Sequence, residues 1–581
     1  MTEPRPIVEP RPASIGSHRA LRRQWLRRWW LAGAMAAFVS LAWWLNPART
    51  FGTLQDDAIY FASARAIARG QGYMLPSFPG GLHRLKYPPV FPWLLSWVWR
   101  LRPEFPANLV LAHAVALALA VAFLLACERA ARRMFGLSGP AAALVLLLCA
   151  CNLVTLYTST HILSDPGFGA LLLLAAMLAD NALERTPSVG WAAVAGAVAG
   201  LSVGMRTIGV AVVVGVVLHL LLGRRWKASA VAALTGAAAS LPWLWPLLTD
   251  LLHPPASRAS VPVGWQHTLS FYASYTRDWS TSLPNWTLRR LVFTSNTLHL
   301  LLAPGLYLLT PLATGRALLT LLWGTPLTVL SWTGTWILFR RHGRKALHAI
   351  FAIYAAILVM WPYPPLRMLL PMQVLWFAGL VQILRLLWVE RLPAPASHTR
   401  SARGSKVLLQ ALTVAMLAPV AVNLCWSVPA TIHREVQVEA ALLEKKRQAY
   451  AWIRAHTPPE AIILADNDVL LYLYTGRPSV RPLTDSGLLV FRDDPALLCS
   501  DLEHFTDVAQ YLSARYWMIA PDDFSRISAW AKPRLREGEQ NLFAGSSPVF
   551  QTPDGAVRIY AIPVRWNPPA LPCNASSSAQ P

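Results

Sequence analysis

Apolar runs separated by short polar interruptions fill most of the chain. They lie at 29–45, 108–127, 140–158, 167–180, 189–205, 208–222, 229–248, 318–338, 347–361, 368–388 and 407–426. Most are close to the roughly 20 residues that a helix needs to cross the hydrocarbon core of a bilayer, and a few, such as 167–180, are shorter. The pattern predicts an α-helical polytopic membrane protein with about 11 transmembrane helices. If the spans alternate, the basic clusters at 22–28, 128–133, 223–227 and 340–345 all fall on one side, which the positive-inside rule makes the cytoplasm. The expected layout is then a cytoplasmic tail over 1–28 and a membrane body over 29–430. Within the body, 46–107 forms a first outer loop and 249–317 a long outer loop. After residue 430 the pattern changes. Residues 438–456 have helical periodicity, 461–465 read as a strand and 508–520 as helix then strand. Residues 548–562 read as a hairpin turning on Pro553-Asp554-Gly555. Residues 431–581 are therefore expected to form a small α/β domain outside the cytoplasm.

Charge changes the picture only when it is divided. The 581-residue chain carries a net charge of +23, which in a soluble protein would suggest nucleic acid. Residues 431–581, however, hold 15 of the 52 Lys and Arg and 17 of the 29 Asp and Glu, so the excess belongs to the membrane body. Bases flanking spans orient a membrane protein and suit anionic or phosphate-bearing lipids. The reading is a multi-pass protein of the inner (plasma) membrane, partnered by the bilayer and not by nucleic acid. The 26 tryptophans suit interfacial belts. Cys127, Cys149, Cys151 and Cys425 fit small core hydrophobes, while Cys499 and Cys573 fall in the outer tail, where a disulfide stays open.

The polar residues that interrupt the body gather at its outer side. The first outer loop brings Asp56, Asp57, Tyr60, His83, Arg84, Lys86 and Tyr87. His161 and Asp165 lie between the third and fourth spans, Arg206 between the fifth and sixth, and Tyr363 and Arg367 before the tenth. Ionisable groups at a membrane are costly unless paired or used. A carboxylate there can take a proton from an incoming hydroxyl, and cations can neutralise charge on a departing phosphate. Plainer roles fit the same residues. Asp56 or Asp57 suits an N-cap for the helix that follows, and Asp165 a cap for the fourth span. Lys86, Arg206 and Arg367 suit snorkelling headgroup anchors. No His/Cys/Asp/Glu spacing makes a metal site, so the residues imply no cofactor, with a divalent metal left open. A P-loop and a GxGxxG are both missing from the sequence.

Several of these segments resemble one known family. Asp56-Asp57, Tyr60, Ala64 and Gly70-Gln71-Gly72-Tyr73, followed by Lys86-Tyr87-Pro88-Pro89, are similar to the first outer loop of GT-C glycosyltransferases. The nearest groups are the bacterial protein O-mannosyltransferases and aminoarabinose (lipid A) transferases. Leu163-Ser164-Asp165, Gly200 to Gly209 around Arg206, and Arg367-Met-Leu-Leu-Pro371 resemble later segments of the family in the same order. The resemblance implies an enzyme that moves a sugar from a polyprenyl-phosphate donor to an outer-face acceptor with inversion. The acceptor would be lipid A, a polysaccharide, a glycolipid or protein. Asp56 and Asp57 match the family's acidic pair, with Asp56 preferred as base. Lys86 matches a lysine that faces donor phosphate, a role shared here with Arg206 and Arg367. Tyr60, His83, Arg84, Tyr87, His161, Asp165 and Tyr363 are expected near substrate. The pair is Asp-Asp where Asp-Glu is more usual, and sugar and acceptor stay open. Rival readings are a transporter or flippase for a lipid-linked saccharide, or an inactive GT-C-like scaffold.

Overall fold

The computed structural model describes residues 15–83, 85–186, 188–252, 261–273, 286–388, 400–482, 505–524 and 531–563. Arg84, Cys499 and Cys573 lie outside the described residues.

The apolar runs fold as helices because nothing else satisfies their backbone groups in hydrocarbon. The membrane body comprises α1 (Ile15–Leu45), α2 (Asp56–Ala68), α3 (Val90–Leu101), α4 (Leu109–Arg133), α5 (Gly139–Cys151) and α6 (Leu153–Thr160). It continues through α7 (Asp165–Glu184), α8 (Ser188–Met205), α9 (Val210–Leu222), α10 (Trp226–Leu252), α11 (Val263–Ala273) and α12 (Trp286–Leu309). Then come α13 (Thr325–His342), α14 (Ala346–Val359), α15 (Gln373–Trp388) and α16 (Arg400–Val422), which leads into α17 (Val428–His456). Among the described residues, seven helices are long and apolar enough to cross a membrane, or eight if the bent pair α5–α6 is one span. Shorter apolar helices cover 29–45, 207–222 and 346–359.

Two departures from the expected layout have physical causes. The expected outer loop 249–317 contains α12, whose stretch Arg289–Leu309 passes the same length and hydropathy test. Its flanking arginines and internal Pro304 interrupt the apolar run in sequence, yet the helix continues through them. The expected span 140–158 is bent by 59° between α5 and α6. Asn152 makes the break: its side chain accepts a hydrogen bond from the Thr155 backbone N–H and so caps α6. Its amide nitrogen donates back to the carbonyls of Leu148 and Cys149 at the end of α5, at 2.9 Å each.

Small residues let the helices approach. A Cβ on Gly196 or Gly200 of α8 would run into the backbone of Ala232 or Gly236 in α10. Gly334 of α13 and Gly379 of α15 meet in the same way. Without a hydrophobic drive between helices in lipid, such close backbone packing is what holds them together.

After α17 the chain forms β1 (Ile463–Ala465), α18 (Asp468–Thr475), β2 (Ser479–Val480), β3 (Tyr516–Ile519), α19 (Ala531–Asn541), β4 (Phe550–Gln551) and β5 (Arg558–Ala561). The sheet order is β2-β1-β3-β5-β4. β1 runs parallel to β2 and β3, and β5 antiparallel to β3 and β4. The β4–β5 turn carries Gly555 at φ 65°, a conformation that a Cβ disfavours. This sheet region packs against the first loop of the body: Ser479 N–H donates to Ser77 O at 2.8 Å and Asn467 Nδ2 to Gly52 O at 2.7 Å.

Candidate active site

Two adjacent carboxylates open α2 and turn to different partners. Asp57 is fully buried and turns to the local backbone. Its Oδ2 accepts from Gly52 N–H and its Oδ1 from Ala58 N–H, each at 2.8 Å. Burial pushes its carboxyl up to about 6 despite the hydrogen bond from Gly52, with His161 also lowering it and Asp56 raising it. Asp56 keeps 16% side-chain exposure and turns towards the body. One oxygen accepts from Arg367 Nη2 at 2.6 Å, and the other from the Tyr87 hydroxyl at 3.2 Å.

Arg367 sits in a tight helical turn, Leu366–Met372, that leads into α15. Its guanidinium also reaches Asp165 Oδ1 at 3.3 Å, and Arg206 Nη1 meets the same oxygen at 2.7 Å. Asp165 opens α7, and Arg206 stands in the extended link after α8. A chain of alternating charge therefore runs Asp56–Arg367–Asp165–Arg206, two carboxylates against two guanidiniums. The planar Arg367 fork suits such bridging better than an ammonium would. Asp165 was expected as a cap; instead its Oδ1 faces both arginines, and its buried Oδ2 has no hydrogen-bond partner among the described residues. Two charged donors outcompete neutral backbone N–H groups. Tyr60 lines this chain, its hydroxyl 3.1 Å from Ser164 Oγ, and its ring stands edge-on to Tyr87 at 5.6 Å.

The remaining expected residues lie around this centre or away from it. His161 is buried after α6. Its Nδ1–H donates to Tyr157 O at 2.9 Å, and its Nε2 is 3.7 Å from Glu439. Tyr363 is half-buried in the turn before Arg367. Lys86 is buried one residue from Tyr87, but its ammonium stands over the Phe271 ring at 4.6 Å, outside the charge chain. His83 is exposed on the loop.

Beside Arg367 opens a cavity of about 810 Å³ between α6, the Leu366–Arg367 turn and α17. Leu153, Val154, Leu366 and Val438 give it an apolar wall, and Arg434, Glu435 and Glu439 a charged one. Sequence reading missed these α17 residues. Their signal was an acid pair four residues apart, on one face of a helix that directly follows the last apolar run. It also missed Gln55, Asp466 and Arg481, which join the first loop to the sheet region. There Gln55 accepts from Arg481 Nη1 at 2.8 Å, and Arg481 Nη2 lies 2.5 Å from Asp466. Nearby, burial pushes the Asp468 carboxyl up to about 7, although it accepts from the Tyr272 hydroxyl at 2.7 Å. Among the described residues, no group of three or more His, Cys, Asp or Glu is placed to hold a metal ion.

No family model and no curated sequence matches the chain. Solved structures do resemble it. ArnT from Cupriavidus metallidurans bound to undecaprenyl phosphate is 14% identical, covering 92% of this chain and 98% of its own, with a TM-score of 0.50. The archaeal oligosaccharyltransferase AglB from Archaeoglobus fulgidus, in complex with an inhibitory peptide and a dolichol-phosphate, is 12% identical. It covers 94% of this chain and 75% of its own, with a TM-score of 0.50. At these identities the likeness speaks to fold: this is a multi-pass membrane protein with a GT-C-like fold.

Proposed function

We propose that the chain is an inverting membrane glycosyltransferase that moves a sugar from a polyprenyl-phosphate donor to an acceptor at the outer face of the plasma membrane. The observation that carries this reading is the placement of Asp56. Its carboxylate is partly exposed and held between a phenol and the guanidinium of Arg367, and Arg367 in turn lines a cavity walled by both apolar and charged side chains. An isoprenoid chain suits the apolar wall, and its phosphate suits Arg367. ArnT and AglB, which share the fold, were solved with undecaprenyl phosphate and dolichol-phosphate, and that supports the donor class. The first loop and residues 431–581 face outward in this reading, and the basic helix ends face the cytoplasm.

In the reaction, the acceptor hydroxyl gives its proton to Asp56 while its oxygen bonds to the anomeric carbon from the face opposite the donor phosphate. The bond from that carbon to the phosphate oxygen breaks, and the phosphate leaves with the electron pair. Arg367 and Arg206 neutralise the growing charge. Donor phosphate that engages Arg367 competes with Asp56 for the guanidinium and so turns the Asp56 carboxylate towards the acceptor hydroxyl. Asp57, tied to the backbone, holds the start of α2.

The test is transfer of labelled sugar from a panel of polyprenyl-phosphate sugars to membrane extract, by wild type, Asp56→Asn and Asp57→Asn. Loss of about a hundredfold or more in Asp56→Asn fits the removal of a general base. An Asp56→Asn enzyme at wild-type rate would remove Asp56 from the chemistry. Wild type inert towards every donor and extract, yet moving lipid-linked saccharide across vesicles, would make the chain a flippase.

A further inference from the structure

The turn that delivers Asp56 is strained, and the residue at its centre is gripped by a distant part of the chain. Gln55 has φ 57° and ψ −41°, and Asp56 N–H donates to Leu54 O at 2.6 Å across it. This is the rare γ-turn of positive φ, which a residue with a Cβ adopts only where its surroundings over-determine it. The surroundings here come from the sheet region more than 400 residues later. Gln55 is buried; its Nε2 donates to Asp466 O at 2.6 Å and its Oε1 accepts from Arg481 Nη1 at 2.8 Å. Arg481 is itself buried and fixed. Its other nitrogen pairs with Asp466, its carbonyl accepts from Thr268, and its guanidinium lies over the Phe271 ring at 5.3 Å. The start of the same turn is held as well. Asn467 donates to Gly52 O, and Leu470 packs so closely on Gly52 that a Cβ there would meet its side chain.

We infer that Gln55 and Arg481 are positioning residues, a latch by which the sheet region holds the γ-turn and so aims Asp56 at the Arg367–Asp165–Arg206 chain. This rests on the reading of Asp56 as the base. The turn gives the helix start its unusual exit direction. Because the Gln55 side chain is spent on Asp466 and Arg481, it makes no cap of its own on α2. With the latch released, the turn relaxes to a negative φ, and Asp56 swings out of line with Arg367 and Tyr87. The sheet region is then part of the catalytic assembly, so release of its grip switches off chemistry without removing any group that touches substrate.

The experiment uses full-length protein in detergent or nanodiscs and compares wild type with Arg481→Met, Arg481→Lys and Gln55→Gly. Gln55→Gly removes the grip but permits the γ-turn, and it reads the latch from the other side should Arg481→Met not fold. Hydrogen exchange over 52–60 is expected to quicken at least tenfold in Arg481→Met and Gln55→Gly, with exchange over 463–475 unchanged. In transfer assays kcat is expected to fall at least tenfold with donor KM within about twofold, and Arg481→Lys to recover part of it. Exchange over 52–60 at the wild-type rate in both variants overturns the latch, whatever activity does. Quickened exchange with unchanged kcat overturns its positioning role. Wild type inert in transfer sinks the glycosyltransferase reading instead, while the exchange measurement still decides the latch.

Discussion

Asp56 and Asp57 are neighbours in sequence, and the fold gives them opposite surroundings. Asp57 is sealed among backbone N–H groups with its carboxyl pushed up to about 6 from 3.8. A carboxyl whose folded pKa is raised binds more protons folded than unfolded, so its contribution to stability falls as pH rises from about 4 to about 6. A shift of about two units corresponds to roughly 3 kcal/mol. Asp57→Asn removes that titration but loses a backbone hydrogen bond. Its Tm relative to wild type is therefore expected to rise by about 2 degrees between pH 4 and pH 7.5, and tryptophan fluorescence on heating follows it. A pH-independent difference would mean that Asp57 does not titrate in this window. Arg367 is tested by charge-preserving change. Arg367→Lys keeps a cation but cannot span Asp56 and Asp165 together, and transfer is expected to fall tenfold or more. Activity within twofold of wild type would mean that the bridge is dispensable. The acids and arginines stood out in sequence because ionisable residues are rare there. Their pairing did not: Arg367 and Asp165 lie on separate helices, and Lys86 turns to Phe271 for reasons that only the packing of α11 reveals.

At the scale of elements, apolar length was readable and its interruptions were not. The Asn152 break looks like one polar residue within an apolar run until its side chain is seen capping α6. The α12 helix hides behind Arg289, Arg290 and Pro304. Helix contacts were equally hidden, since a glycine in a hydrophobic run reads as one more small residue. Gly334 and Gly379 decide how closely α13 and α15 approach, because a side chain on either would overlap the other's backbone. Gly379→Val is expected to destabilise by about 1–3 kcal/mol or more through overpacking, seen as a lower Tm in detergent. Gly190→Ala, where an added Cβ meets nothing within 4 Å, is expected to leave Tm unchanged or slightly higher. Equal losses in both would deny the close-packing account.

The whole molecule has two chemically distinct ends, and one helix measures the distance between them. α7 begins with Asp165 in the charge chain and ends with Glu184, which pairs with Lys345 at 3.0 Å. Its 20 residues span about 30 Å, the thickness of a hydrocarbon core. At the Glu184 end the basic segments converge: Arg225 donates to Leu183 O, Arg344 to His219 O, and His342 packs on Gly136. At the other end, Asn467 and Ser479 bind Gly52 and Ser77, so the first loop and the sheet region must share one side of the membrane. The apolar spans and basic clusters are local properties of sequence, whereas the contact between first loop and tail joins residues too distant for any local pattern. The geometry makes a sharp prediction for single cysteines placed in a chain whose six native cysteines are replaced. His83→Cys and Glu460→Cys, both exposed, are expected to react with a membrane-impermeant maleimide from outside right-side-out membranes, while Arg224→Cys and Arg341→Cys react only in inverted ones. Reversal of the whole pattern would overturn the assigned orientation and keep the fold. Labelling of His83→Cys and Glu460→Cys from opposite sides would break the fold itself, because the hydrogen bonds between first loop and sheet region cannot then form.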